Sequence, residues 1–190
     1  MKRIGILAGA FNPVTRAHVA LAHAAREHVD EIVCVMPRIY PHKELHGATL
    51  EQRRQMLNRC AIHDRAEITS SGLFIDIARE LRRPGAETWF ICGADAAERV
   101  LGWDYGEPGA IERMLDEFSM LVAPRKSAFR PPEHLRHRIR NLAVPLGFEE
   151  ISSTEVRNRI ASDEAWEHLV PEAIIDLVRK IYTTEQNPRP

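Results

Sequence analysis

Apolar runs of strand length alternate with amphipathic stretches of helix length along most of this 190-residue chain. RIGILAG (3–9) is apolar without alternation, which predicts a strand covered on both faces. TRAHVALAHAAREH (15–28) then predicts a helix, and EIVCVMP (31–37) a second buried strand closed by Pro37. After the polar loop RIYPHKELHGA, Thr49 stands where a cap is wanted for a helix over 49–63. AEITS (66–70) is a short third strand. GLFIDIARELRR (72–83) carries apolar residues at 73, 74, 77, 78 and 81, the spacing of one helical face. A buried strand over 88–94, helices over 95–102 and 111–117, and a strand over 118–124 follow. NLAVPLG (141–147) predicts a sixth strand at an edge, since Pro145 interrupts it. STEVRNRIA (153–161) and PEAIIDLVRKIY (171–182) predict the last helices.

Strict alternation of strand and helix predicts an α/β architecture: a Rossmann-like, doubly wound parallel sheet with C-terminal helices. It is expected as a single domain over 1–184 with a disordered tail over 185–190. Composition supports a packed core, with 44% hydrophobic and 28% charged residues. The net charge of −1 gives no overall basic bias towards nucleic acid and no acidic tail. No apolar stretch reaches the ~18 residues of a membrane span, and the N-terminus enters a strand without a signal-peptide pattern. Cys34, Cys60 and Cys92 are far apart and read as free thiols of a reducing, cytoplasmic compartment. Neither a nucleic-acid nor a membrane partner is expected.

Ligands on such sheets bind beyond the carboxyl ends of the strands. Three pieces fall at such ends: GAFNPVTRAH (9–18), the PRIYPHK loop (37–43) and GAD (93–95). In the first, Gly9 lets the backbone turn near a ligand, Pro13 fixes its own φ, and Thr15 can cap the helix. The amides of that first turn form an anion site, and His18 lies one turn in on the face of Thr15. A strand, a turn and an N-cap Thr with a satisfied His is the plain structural alternative. At the other end, ISSTEVRNRI (151–160) sets two serines and Thr154 as cap before a helix, with Arg157 one turn in. That is a second anion site with an added guanidinium. His18, His23 and His28, spaced by five, share no helix face and form no metal site.

Together these stretches resemble the nucleotidyltransferases that include the nicotinate and nicotinamide mononucleotide adenylyltransferases. That family carries a His-or-Thr, two residues, His phosphate motif near its start and Ser-Ser-Thr-x-x-Arg near its end. PHK (41–43) followed by EQRRQML, FICGAD followed by Trp103, and LVPEAIIDLVRKIY are similar to further family segments, so the resemblance spans residues 3 to about 182. The chain departs from the pattern at Ala17, where glycine is usual, and at Thr15, which replaces a first His. APRK (123–126) stands where Arg-Pro-Gly is usual, and TSSGLFID (69–76) follows a Ser-Tyr-Thr pattern only loosely.

The resemblance implies transfer of AMP from ATP to a pyridine mononucleotide with release of pyrophosphate. His18, Thr15, Arg157 and Lys43 would be catalytic, with Gly9, Ala10 and Phe11 in the phosphate turn. Gly93 and Asp95 would hold the adenosine, Ser152, Ser153 and Thr154 the outer phosphates, and Trp103 and Arg53 the acceptor. Mg²⁺ would be held mainly by phosphates and water, with no dedicated carboxylate cluster. Transfer to another phosphate acceptor such as phosphopantetheine, use of CTP, and a nucleotide-binding sensor without turnover remain alternatives. A Gly-x-Gly-x-x-Gly dinucleotide loop and a Gly-Lys-Ser/Thr P-loop are absent, and 190 residues leave little room for tRNA recognition. The basic stretch 125–140, with Arg125, Lys126, Arg130, Arg136, Arg138 and Arg140, suits a solvated lid, a substrate phosphate or a second copy in a homo-oligomer.

Overall fold

In the computed structural model, residues 1–40, 47–124, 129–148 and 150–184 are described. Six strands form one sheet in the order β3-β2-β1-β4-β5-β6. They are β1 (Lys2–Ala8), β2 (Glu31–Pro37), β3 (Arg65–Thr69), β4 (Ala86–Gly93), β5 (Ser119–Ala123) and β6 (Ile139–Asn141). Every pairing is parallel. The helices are α1 (Arg16–Ala25), α2 (Leu50–Arg59), α3 (Phe74–Glu80), α4 (Ala94–Gly102), α5 (Ala110–Glu117), α6 (Ser153–Ala161) and α7 (Ile175–Thr184). A parallel sheet needs crossovers, and helices here cover both faces, so the four central strands β2, β1, β4 and β5 are buried on both sides.

The strand side chains divide with period two. Leu7, Ile32, Cys34, Met36, Trp89, Ile91 and Leu121 pack with residues of α1, α2, α6 and α7. Ile4, Ile6, Val33, Val35, Phe90, Cys92 and Met120 pack on the opposite face with α3, α4 and α5. The unbroken apolar runs of the sequence have this cause. On the first face Gly5 fills a gap that admits no side chain: an added Cβ would sit 2.8 Å from both Ile91 Cδ1 and Val29 Cγ2. Gly5→Ala is therefore expected to destabilise by about 1–3 kcal/mol, the usual cost of overpacking a core. Urea unfolding measures it, and an alanine variant as stable as the parent contradicts the packing argument.

The strand order reverses between β1 and β4, which start from the centre and wind outward in opposite directions. The crevice at this switch point, beyond the strand ends Ala8 and Gly93, is where such sheets take ligands.

Three expectations need correction. The sixth strand is not 141–147: β6 covers Ile139–Asn141 and overlaps the expected stretch only at Asn141. Ile139 is buried between outward Arg138 and Arg140, and the Arg140 guanidinium lies 4.8 Å from the Trp89 ring centroid. Charges on a short edge strand block further pairing, and they also conceal the strand from a reading of apolar runs. The same finding alters the basic stretch 125–140. Residues 125–128 lie outside the described residues, but 133–141 form a 3₁₀ turn and the sheet edge rather than a lid. The helix expected over 15–28 is shorter, ending at Ala25.

The three cysteines are free, with Cys34 and Cys92 buried. Burial pushes each thiol up to about 12, far from a reactive thiolate. Among the described residues no helix is long and apolar enough to cross a membrane.

Candidate active site

The chain leaves β1 through a turn whose left-handed residue is Phe11, at φ 49°, and not Gly9. A side chain there is tolerated because the Phe11 ring is wholly buried and lies 5.0 Å from the His18 ring, centroid to centroid. The Gly9 amide donates to Val35 O at 2.9 Å, which ties the turn to the end of β2. Thr15 then caps α1 with an extended backbone, φ −121° and ψ 166°.

Thr15 and His18 are coupled more closely than the helix spacing alone requires. The Thr15 backbone N–H donates to His18 Nδ1 at 3.0 Å, and Thr15 Oγ1 lies 2.9 Å from the same nitrogen. A backbone amide can only donate, so Nδ1 is the accepting nitrogen and the ring proton sits on Nε2. His18 is thus held as a hydrogen-bond donor at Nε2. Thr15, wholly buried, spends its amide and hydroxyl on fixing that ring.

The second motif starts α6. Ser152, and not Thr154, is the N-cap, with its Oγ accepting from Glu155 N at 3.1 Å. Ser153 reaches back and donates from Oγ to Pro13 O at 2.7 Å. Arg157 donates from Nη1 to Asn12 O at 2.6 Å and from Nη2 to Thr154 Oγ1 at 3.3 Å. Two motifs about 140 residues apart in sequence are therefore joined through the carbonyls of one turn.

Other side chains complete that hold. Tyr40 donates to Gly9 O at 3.1 Å, Arg53 Nη1 to Ala10 O at 3.0 Å, and Tyr182 to Asn12 Oδ1 at 2.5 Å. Each accepting group sits in the turn, half-buried at Gly9 and Ala10 and buried at Asn12, where loss of the donor would cost about 1–3 kcal/mol. Arg53 is placed behind the turn, 6% exposed, and is absent from the described lining of the cleft.

The cleft itself has a volume of about 330 Å³. Thr15 and His18 from α1, Gly93 and Asp95 from the start of α4, and Ser152 and Ser153 from the start of α6 line it together. An ideal Cβ on Gly93 meets no atom of the described residues within 4 Å, so the strand end offers an open, flat face. Gly93 is also the N-cap of α4, which leaves Asp95 exposed in the first turn and on the cleft wall. Ala123, Val144, Phe148 and Ile151 supply an apolar side. Backbone donors at two helix starts, a fixed imidazole donor and an apolar wall suit a ligand with a polyanionic end and a flat apolar end.

Trp103 is not core. It ends α4, is 39% exposed and lines a separate hollow of about 60 Å³ with Leu73, Phe74, Val100 and Tyr105. Lys43 and its PHK loop lie outside the described residues. Arg99 went unnoticed in the sequence. It borders both the cleft and the Trp103 hollow, and its place four residues after Asp95 on α4 was the available signal. Tyr182 gave no local signal, because its partner is 170 residues away.

The chain matches the family model described as cytidylyltransferase-like over residues 6–159. A relative from Gloeobacter violaceus, named "Probable nicotinate-nucleotide adenylyltransferase", is 34% identical, with 94% of each chain covered. One of the same name from Thermus thermophilus is 33% identical, over 94% of this chain and 97% of its own. Among solved structures, the nicotinic acid mononucleotide adenylyltransferase of Plasmodium falciparum complexed with NaAD shares the fold. Its TM-score is 0.71 at 20% identity, covering 95% of this chain and 96% of that one. The six-stranded order, the two joined helix-start motifs and these matches lead to one assignment: the chain belongs to the cytidylyltransferase-like family and, within it, to the nicotinate/nicotinamide-mononucleotide adenylyltransferases.

Proposed function

We propose that the protein transfers AMP from ATP to a pyridine mononucleotide, of which nicotinate mononucleotide is the form in its relatives' names. An oxygen of the acceptor's phosphate attacks the α-phosphorus, the bond from that phosphorus to the α,β-bridging oxygen breaks, and pyrophosphate leaves. The observation that carries this reading is one cleft that collects a fixed Nε2 donor, the open Gly93 face and the Ser152-capped start of α6.

The chemistry asks little covalent work of the protein. Rate comes from placing the two nucleotides in line and from donors aimed at charge on the transferring phosphoryl group. His18 donates from Nε2 to an α-phosphate oxygen, with its ring held in place by Thr15. The adenosine lies against Gly93, and Asp95 accepts from a ribose hydroxyl. The α6 amides behind Ser152 and the guanidinium of Arg157 hold the β and γ phosphates. The guanidinium has five N–H groups, of which Asn12 and Thr154 take two, so the rest can meet the phosphates. Among the described residues no three His, Cys, Asp or Glu side chains converge on a metal site. A Mg²⁺ arriving with the triphosphate would be held mainly by the phosphates and water, and it would neutralise phosphate charge there.

The pyridine ring stacks on Trp103 in the smaller hollow. Stacking of a heteroaromatic ring on an indole contributes about 0.5–1.5 kcal/mol beyond its buried area. Pyrophosphate release should be measured with ATP and, in turn, nicotinate mononucleotide, nicotinamide mononucleotide and phosphopantetheine, for wild type and Trp103→Ala. A pyridine nucleotide is expected to be the best acceptor, with kcat/KM falling about tenfold in Trp103→Ala. The proposal fails if neither pyridine nucleotide turns over. It also fails if Trp103→Ala leaves kcat/KM intact.

A further inference from the structure

Arg99 occupies a position that the reaction outlined above leaves unused. Of the described residues, only Arg99 and Ala96 border both the nucleotide cleft and the Trp103 hollow. The other described walls of the hollow are Gly72, Leu73, Phe74, Val100, Trp103 and Tyr105, so Arg99 brings its only formal charge. Arg99 stands on the exposed side of α4, one turn beyond Asp95, where helical spacing turns both towards the cleft.

We propose that Arg99 sets acceptor specificity by pairing with a carboxylate carried on the ring that occupies the Trp103 hollow. The inference rests on the pyridine-nucleotide reading and deepens it. A guanidinium presents parallel N–H groups that match the two oxygens of a carboxylate. A carboxamide at the same place offers one accepting oxygen, turns an NH₂ towards other donors and brings no charge. Specificity is the difference between these two affinities, and the one cation among the described walls of a small aromatic hollow supplies that difference for the acid form. The acceptor's phosphate is common to both nucleotides, so a contact with it would not discriminate between them.

The test compares wild type, Arg99→Gln and Arg99→Lys with nicotinate and nicotinamide mononucleotides at saturating ATP. The readout is the ratio of kcat/KM for the acid over the amide. Where amide turnover is too slow, the ratio of Kd values from calorimetry with a non-hydrolysable ATP analogue replaces it. Arg99→Gln is expected to lower the ratio at least about tenfold, as for loss of one charge-assisted pair. Arg99→Lys falls between, because charge is kept and the fork is lost. Arg99 is exposed, so the discrimination shrinks as salt is raised from about 0.05 to 0.5 M.

A ratio within about twofold of wild type in Arg99→Gln overturns the proposal. Equal losses for both acceptors would put the guanidinium on their shared phosphate, and a raised KM for ATP alone would put it on the triphosphate. Both outcomes overturn it while leaving the pyridine reading intact, provided Trp103→Ala still impairs both acceptors. Absence of turnover with either pyridine nucleotide overturns that reading and the inference with it.

Discussion

Replacing His18 by alanine is expected to lower kcat by about 10²–10³-fold, the usual effect of removing one preorganised donor from a developing anion. The ground for this size is the fixed geometry. The Thr15 amide and hydroxyl both address Nδ1, at 3.0 and 2.9 Å, so the donating Nε2 needs no reorganisation when charge shifts onto the α-phosphate oxygens. The effect belongs to the transition state, so the dissociation constant of ATP should change far less than kcat. The variant also takes the partner from the buried Thr15 amide and hydroxyl, so a stability loss of about 1–3 kcal/mol should accompany it, while the buried face of Ala22 and Ala25 is kept. Rapid-quench turnover with separate measurement of ATP binding tests it. A variant that keeps half of the parental kcat would remove His18 from the chemistry and return it to a structural partner of Phe11.

How far the sequence reveals this site depends on the range of the forces involved. The strands β1, β2, β4 and β5 were legible because each is apolar on both faces, a signal contained in five to eight consecutive residues. β6 was not, because an edge strand is specified by its neighbour: Ile139 pairs with Met120, and its flanking arginines read as solvent. The two phosphate motifs were legible as helix starts with Ser, Thr, His and Arg. Their mutual contact was not, since nothing local to 12–13 or to 153–157 announces a bond between them. For the same reason Arg53 read as an acceptor contact. It lies downstream of the PHK loop, but its burial and its bond to Ala10 O are set by how α2 packs beneath the turn. Thr154 read as the cap because it is the threonine that precedes the helical stretch EVRNRI. The helix instead begins at Ser153, so Ser152, two residues before Thr154, takes the role.

Arg157→Ala is expected to raise the dissociation constant of ATP by about 10–100-fold, the loss that follows removal of a charge-assisted contact. Binding of the mononucleotide alone should change little, because the proposed partner of the guanidinium is the outer part of the triphosphate. The structure adds a second consequence that the sequence does not contain. Arg157 Nη1 donates to Asn12 O at 2.6 Å, and Asn12 is 2% exposed, so the truncated variant leaves a buried carbonyl without this donor. A stability loss of about 1–3 kcal/mol should accompany the loss of ATP affinity. The two effects separate in Arg157→Lys. An ammonium can still reach one acceptor, but it cannot hold Asn12 O and a phosphate at once with a planar fork. It should therefore recover either stability or affinity in part, and not both in full. Isothermal calorimetry with ATP and with the mononucleotide, beside urea unfolding of each variant, measures every quantity in the argument. If folded Arg157→Ala binds ATP as tightly as wild type, the guanidinium serves only to tie α6 to the turn, and the triphosphate is held by the α6 amides behind Ser152.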